Sequence, residues 1–162
     1  MLSWVGSVMG LSSSLEAGTD PQGSSAFFSV AFTSVLEGGL DPQRVPFDRI
    51  LSCQPESAFS TEDSQFTCPI PGSYFFTFTI HPDEGKAASV CLKKNEDSVV
   101  MLYAHKNKRG PSTSSQSAIL DLQPGDVVWL ELQSGNEYAI RSHPGTPLVT
   151  FTGILVKSQL TD

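Results

Sequence analysis

The sequence predicts an all-β protein, a sandwich or jelly roll, and two observations carry that prediction. Short segments rich in β-branched and aromatic residues recur along the chain, and turn-forming clusters of Gly, Pro, Asn and Asp separate them. No segment shows the 3.6-residue apolar period of an amphipathic helix. Strands at this spacing without helices are typical of antiparallel sandwiches and jelly rolls.

The run 66–80 is the most informative element. Two prolines and Gly72 precede a segment in which nearly every residue is β-branched or aromatic. Alternate positions place four large side chains on one face of this strand: Tyr74, Phe76, Phe78 and Ile80. Because each buried ring removes a large apolar area from water, we expect a central strand of an antiparallel sandwich. Pro82 ends the strand, since proline has no backbone donor for a ladder.

The other predicted strands follow the same rhythm. They lie at 26–33, 45–51, on both sides of the polar turn between Phe59 and Phe66, and at 87–94, 98–104, 118–122, 127–132 and 148–156. Segments 87–94 and 98–104 predict one hairpin, and segments 118–122 and 127–132 predict a second. Pro46 argues against a central place for 45–51. The final segment is apolar on both faces and is predicted to be central.

Composition bounds the function classes. The 162 residues suffice for one domain with a core, and the net charge of −7 argues against a general nucleic-acid binder. No stretch approaches the roughly 18 apolar residues of a membrane span. Residues 1–25 are interpreted as a disordered leader, a linker or a weak signal segment, residues 26–158 as the globular domain and residues 159–162 as a tail. No Gly-X-Y repeat is present in the sequence, so no collagen stalk is predicted in it.

The three cysteines cannot all pair within one chain. Cys68 and Cys91 lie in apolar, strand-like segments and are predicted to be buried as small hydrophobic side chains. A disulfide between Cys53 and Cys68 remains an alternative, because sequence does not test the geometry of the bridge.

Motifs of catalysis are absent from the sequence. There is no Gly-x-Ser-x-Gly elbow, no His-Glu-x-x-His pair and no phosphate-binding loop. The three histidines, His81, His105 and His143, lie in predicted loops, where solvated histidine is the plain interpretation. We therefore predict no catalytic residues and no enzymatic activity.

Several blocks of residues, in one order over about 130 positions, resemble the globular C1q domain. This domain is the head of complement subcomponent q and of adiponectin-like and cerebellin-like proteins. The blocks are Ala26-Phe27-Phe28-Ser29-Val30-Ala31, Val45-Pro46-Phe47-Asp48, Phe66-x-Cys68-Pro69-x-Pro71-Gly72-x-Tyr74-x-Phe76-x-Phe78, Leu92-x-Lys94-Asn95, Ser115-x-Ser117-Ala118-x-Leu120-x-Leu122, Pro124-Gly125-Asp126-x-Val128-Trp129-Leu130 and Phe151-Thr152-Gly153.

The resemblance implies a ten-stranded jelly roll related to the tumour necrosis factor fold, assembled as a compact homotrimer. Aromatic content agrees, since we expect the chain to hold more aromatic rings than one sandwich can bury. The rings in question are Phe27, Phe28, Phe32, Phe75, Phe76, Phe78, Trp129 and Phe151. The alternative is that all of them fit in the core of one subunit. The residues expected in the core or the trimer interface are Phe28, Tyr74, Phe76, Phe78, Trp129 and Phe151.

Many members of the resembled family bind calcium near the trimer axis through Asp and Gln side chains. The matching positions here are Ala104 and Ser112 for the carboxylates and His105 for the amide. Calcium prefers oxygen ligands, so we predict that the axial site is absent and that the protein has no cofactor and no metal. The turn 81–85 holds two acidic residues, for which a peripheral calcium site is the less favoured interpretation and solvated side chains the plainer one.

The loop that follows the tyrosine-containing strand is basic. His105, Lys106, Lys108 and Arg109 are predicted ligand-binding residues, because three copies in a trimer would gather positive charge. An anionic glycan, a phospholipid or an acidic receptor surface would suit such a patch. The alternative is that these side chains are merely solvated.

The resemblance implies a secreted, non-enzymatic trimeric recognition module, acting in innate immunity or signalling. Its partners would be further copies of itself and a receptor, glycan or microbial surface bound through its loops. The alternative is a structural trimerisation domain of a larger matrix or stalk protein.

Overall fold

The computed structural model describes residues 25–106 and 110–159, which form an antiparallel β-sandwich. The predicted leader to residue 24 and the last three residues lie outside the described part. The elements are β1 (Phe27–Phe32), β2 (Val35–Glu37), β3 (Gln43–Arg44), β4 (Arg49–Gln54), a 3-10 turn (Glu56–Ala58), β5 (Phe59–Ser60), β6 (Gln65–Thr67), β7 (Gly72–Ile80), β8 (Ala88–Lys94), β9 (Asp97–Ala104), β10 (Ser114–Leu122), β11 (Val127–Leu132), β12 (Ala139–Arg141) and β13 (Val149–Ser158).

Ten of these strands form two five-stranded ladders, as expected for the jelly roll. The first sheet has the order β10-β7-β13-β1-β4, and the second has the order β5-β6-β11-β8-β9 with β3 beside β11, which makes it six-stranded. Strands β12 and β2 pair with each other in a small third sheet. Among the described residues, no helix is long and apolar enough to cross a membrane.

The prediction of central strands is confirmed for β7 and β13. Strand β7 lies between β10 and β13, and β13 lies between β7 and β1. The predicted inner face of β7 is fully buried at Tyr74, Phe76, Phe78 and Ile80. The hairpin of β8 and β9 is also confirmed, with Asn95 at a positive φ in its turn. Strand β4 lies at the edge of its sheet, as predicted for the segment 45–51, but it begins at Arg49 and therefore does not contain Pro46.

The second predicted hairpin is wrong. Strands β10 and β11 are consecutive in the chain, but β10 pairs with β7 and β11 pairs with β6 and β8. The turn around Gly125 therefore carries the chain from one sheet to the other. Local turn chemistry does not distinguish these two outcomes, because a tight turn can join strands of one sheet or of two packed sheets.

Aromatic rings fill the space between the two sheets. The ring of Phe28 lies 5.1 Å from that of Phe59 and 4.9 Å from those of Phe66 and Phe151, between centroids. Gly153 lets two of these rings approach β13, since a Cβ at this position would lie 2.4 Å from Phe28 and 2.7 Å from Phe76. Truncating one such buried ring typically costs about 3–5 kcal/mol.

The argument that these rings exceed the capacity of one sandwich is wrong. Six of the eight are buried in the single chain: Phe28, Phe32, Phe76, Phe78, Trp129 and Phe151. Phe27 is half-buried, and Phe75 is the exposed ring of the set, at 36%. The sandwich has room because two facing sheets contribute one ring-bearing face each. The apolar surface that remains outside is mainly aliphatic.

The prediction that two of the three cysteines are buried is confirmed. Cys68 and Cys91 are buried, and all three cysteines are free, so the alternative disulfide with Cys53 is not formed. The thiol of Cys68 and the hydroxyl of Tyr74 both donate to the carbonyl oxygen of Ile70, at 3.1 and 2.7 Å. Burial raises the pKa of both groups, so both stay protonated donors near neutral pH.

Candidate functional site

An apolar row crosses the outward face of the five-stranded sheet. Ile119 on β10, Phe75 on β7, Ile154 on β13 and Phe27 on β1 are paired in register, one beside the next. The first three are 63%, 36% and 45% exposed. We call these four residues the apolar row. A contiguous apolar strip on one sheet face is typical of a protein contact.

Short hydroxyl side chains lie beside the apolar row on the same face. They form two further cross-strand rows, one of Ser117, Thr77, Thr152 and Ser29 and one of Ser115, Thr79 and Thr150. Ser29 and Thr152 share a hydrogen bond of 2.9 Å, and Thr79 and Ser115 share one of 3.1 Å. Because these hydroxyls are uncharged and bond one another, they oppose burial less than lysine or glutamate would.

The outward face of the six-stranded sheet is covered differently. The guanidinium carbon of Arg44 lies 4.3 Å from the ring centroid of Trp129, which is only 5% exposed. Arg44 is held there by hydrogen bonds from Nη1 to the carbonyl of Asp63 and to Oε1 of Gln65, at 2.9 and 2.8 Å. Trp129 is thus buried by its own chain, outside the sandwich interior.

A surface cleft of about 450 Å³ lies beyond the end of β9. We call it the β9 cleft. Its lining residues are Gly85, Lys86, Ala87, Tyr103, His105, Lys106 and Glu137. Three separate segments contribute: the end of β9 and the two residues after it, the loop before β8 and the loop before β12.

Aromatic rings stand at right angles along the β9 cleft. The alternation of β9 turns Tyr103 outward, and His105 meets its ring edge-on at 4.7 Å between centroids, with 80° between the planes. The ring of Tyr138 also meets that of Tyr103 edge-on, at 6.1 Å between centroids and 87° between the planes. Burial, followed by the proximity of Tyr103 and Glu137, raises the pKa of the Tyr138 phenol.

Backbone bonds fix the floor of the cleft. The amide of Ala87 donates to the carbonyl of Glu137, and the amide of Ala139 donates back to Ala87, both at 3.0 Å. Lys86 Nζ donates to the carbonyl of Asn136 at 2.6 Å. Gly85 has φ +71° with open space around it, so it forms the turn at the rim without obstructing the opening.

The predicted ligand-binding residues are placed only in part. His105 and Lys106 line the β9 cleft, whereas Lys108 and Arg109 lie outside the described residues. Sequence reasoning missed Lys86, Tyr103 and Glu137 as neighbours, because they come from three distant segments. The one usable signal was the alternation of β9, which points Tyr103 away from the core.

The residues expected in the core or the interface lie inside a single subunit. Five belong to the buried core cluster: Phe28, Tyr74, Phe76, Phe78 and Phe151. Trp129 is buried on the outward face beneath Arg44.

One of the two acidic residues in the turn at residues 81–85 is paired with a basic side chain. Asp83 accepts a hydrogen bond of 2.5 Å from Nε of Arg141, which lowers the pKa of its carboxyl group. His81 Nδ1 lies 3.2 Å from Oγ1 of Thr113, and burial, followed by His143, lowers the pKa of His81. Within the described ranges, no three His, Cys, Asp or Glu side chains are grouped to hold a metal ion. The absence of the axial calcium site stays a prediction.

Comparison with known proteins identifies relatives. The model of the C1q domain family matches residues 27–156. Complement C1q tumor necrosis factor-related protein 6 of Rattus norvegicus is 33% identical over 133 residues, which is 82% of this chain and 50% of the relative. Complement C1q tumor necrosis factor-related protein 1 of Mus musculus is 38% identical over 100 residues, which is 61% of this chain and 35% of the relative. Caprin-2 of Danio rerio is 35% identical over 133 residues, 80% of this chain and 14% of that protein.

Solved structures share the fold. The globular domain of zebrafish complement 1qA protein superposes with a TM-score of 0.66 at 25% identity, over 83% of this chain and 99% of that one. Murine APRIL superposes with a TM-score of 0.62 at 7% identity, over 82% and 99%, which shows the jelly-roll fold alone. The chain spans about half the length, or less, of the curated relatives that it matches. On the match over residues 27–156, this chain belongs to the C1q domain family.

Proposed function

We propose that the protein is a secreted, non-enzymatic recognition module that assembles as a homotrimer. The observation that carries this proposal is the apolar row, whose four side chains lie in register across one sheet face. Such a strip gains free energy when a partner removes it from water, at roughly 25 cal/mol per Å². Family membership supports a threefold assembly of identical chains as that partner.

A threefold assembly is compatible with this one-sided row. In a cyclic trimer each contact is heterologous, so the apolar row of one subunit meets a different surface of the next. The flat, uncharged hydroxyl rows beside it would enter such a contact without stranding a charge.

The test of assembly is light scattering of the purified protein, with and without EDTA. We expect three times the mass of one chain in both samples, because Ala104, His105 and Ser112 replace the side chains with which relatives hold axial calcium. A dilute sample with the mass of one chain would contradict the trimer. A mass that falls only when EDTA is added would contradict the predicted absence of calcium and leave the trimer in place.

Recognition is proposed to use the basic loop, with three copies acting together in one trimer. The test replaces Lys106, Lys108 and Arg109 with Ser and measures retention on heparin at increasing salt. We expect earlier elution than for a control in which Arg49, Lys93 and Lys157 are replaced with Ser, since both variants lose three positive charges. Equal elution of the two variants would contradict a role for this loop.

The second candidate function is structural trimerisation within a longer matrix or stalk protein. It is favoured by the lengths of the relatives, in which the matched region is 50% of one chain and 14% of another. Capture of heparin or other glycans by residues 25–159 alone would favour recognition. A stable trimer that captures none of them would favour the structural role.

A further inference from the structure

We propose that the β9 cleft binds a carboxylated pyranose sugar, such as a sialic or uronic acid residue of a glycan. This inference deepens the proposed recognition function and rests on it. It assigns a ligand class to a site whose members Lys86, Tyr103 and Glu137 carry no role so far.

Tyr103 forms an aromatic wall of the β9 cleft. Tyr103 is 49% exposed, so its ring is open to a ligand, yet the rings of His105 and Tyr138 both contact it at nearly right angles. A pyranose has one face of C–H groups that packs on such a ring. Because the ring is already held in place, little side-chain entropy is lost when the sugar binds.

The charged side chains of the β9 cleft favour an acidic ligand. Lys86 and Lys106 both line the cleft, and one carboxylate, Glu137, accompanies them. Lys86 uses one of its three ammonium donors on Asn136, which orients the group and leaves two donors for a ligand. An ammonium group forms a stronger hydrogen bond with a carboxylate than with a neutral hydroxyl group. Glu137 remains available to accept hydrogen bonds from the sugar hydroxyls.

The size and rigidity of the cleft fit one sugar unit. Its volume of about 450 Å³ falls within the usual range of small-molecule sites, roughly 300–1,000 Å³. Backbone bonds join its two loops at Ala87 and Ala139, and a further one runs from the amide of Asp83 to the carbonyl of Ala139. The lining residues are therefore held before the ligand arrives.

The cleft and the apolar row are separate. The row crosses β7 at Phe75, whereas the loop that supplies Lys86 begins after β7 ends at Ile80. Five residues of extended strand span roughly 17 Å. Contact through the apolar row would leave three clefts open in one trimer, and linked sites raise the affinity for a multivalent glycan.

The first experiment compares probes on the whole protein by saturation-transfer NMR and titration. The probes are N-acetylneuraminic acid, glucuronic acid, neutral N-acetylglucosamine and acetate. We expect both acidic sugars to bind at least tenfold more tightly than N-acetylglucosamine and acetate, because only they satisfy the ring and the ammonium groups together. Equal binding of N-acetylglucosamine would overturn the carboxylate requirement, and equal binding of acetate would overturn the sugar requirement.

The second experiment locates the site with residues that lie outside the buried core cluster. Tyr103→Ala and Lys86→Ser are each expected to weaken binding of the acidic sugars at least tenfold, while Tyr103→Phe keeps it within about threefold, since the ring remains. Lys93→Ser removes the same charge from the opposite end of β8 and is expected to change nothing. Unchanged binding in Tyr103→Ala would overturn the assignment.

Measuring the mass of every variant separates the two proposals. A wild-type trimer that binds no acidic sugar overturns the ligand assignment and leaves the proposed trimeric module standing. A single-subunit protein that binds the sugar through Tyr103 overturns the trimer and leaves the cleft assignment standing.

Discussion

The outward faces of the two sheets cover their apolar groups in opposite ways. On the six-stranded sheet, Arg44 lies over Trp129. Lys93 is the cross-strand partner of Trp129, and Glu131 is the cross-strand partner of Arg44. On the five-stranded sheet, the apolar row is flanked on one side by serine and threonine, whose side chains are too short to cover a neighbour. On its other side, Ser73 is paired with Asp121 and Lys157. A long charged side chain buries an apolar surface while its head stays in water. Trp129 is therefore covered by its own chain, although Met101 and Tyr103 on the edge strand β9 stay exposed at 46% and 49%. The apolar row has no such cover and is the surface that we propose to be buried by a second chain.

The largest effect is expected from a charge placed in the apolar row. Ile119→Asp is expected to dissociate the trimer, because an unpaired carboxylate buried in the contact costs at least about 3 kcal/mol, more than a hundredfold in affinity. The matched control is Gln65→Asp, which adds the same charge to the other sheet and keeps an acceptor for Arg44. Sedimentation velocity measures both. A trimer of normal stability in Ile119→Asp would remove the distinction between the two faces.

A smaller effect is expected from uncovering Trp129. Arg44→Ala is expected to reduce the free energy of unfolding by about 1 kcal/mol, since it removes both the cation–π contact and the covering stem. Denaturant titration gives this value, and light scattering should show an unchanged mass. Lys157→Ala, an exposed position on β13, serves as the control. If Arg44→Ala lowered the mass while stability stayed the same, the six-stranded face would be the contact.

The smallest effect is expected from breaking the ion pair of Asp83 and Arg141, which belongs to neither of the two outward sheet faces. Arg141 lowers the pKa of Asp83, so the pair's contribution is complete above the pKa of an unfolded aspartate, about 3.9, and is lost as the pH falls through the folded value. Asp83→Asn is therefore expected to be slightly less stable than the wild type at pH 7 and equally stable in strong acid. Thermal unfolding across this range measures the difference. Arg141→Gln should follow the same profile, and a difference that does not change with pH would contradict this account.

Local pattern predicted the individual strands well. The alternation in β7 identified its buried face, and the apolar character of β13 identified a central strand, because both properties are carried by neighbouring residues. The turn at Gly125 shows the limit. Its residues predict a tight reversal of the chain, but the partners of β10 and β11 lie about 30 or more residues away in β7 and β8.

The sites depended on contacts that local pattern does not contain. Sequence reasoning named His105 and Lys106 from their position in a basic loop, and it gave no reason to add Lys86 or Glu137. It also assigned excess apolar surface to aromatic rings, although the structure buries most of them and exposes Ile119 and Ile154 instead. Residue type alone does not indicate which aromatic rings the opposite sheet will bury.

The sequence by itself determined the class of fold, most of the longer strands, the inner face of β7, the central place of β13 and the resemblance to the C1q domain. Each of these is carried by hydrophobic periodicity or by an ordered set of motifs within the chain. The sequence did not predict the short strands β2, β3 and β12. Only the tertiary structure decided that the four side chains of the apolar row align and that three distant segments meet at the β9 cleft. Register and sheet order bring those residues together, and both arise from pairing between strands that are remote in sequence.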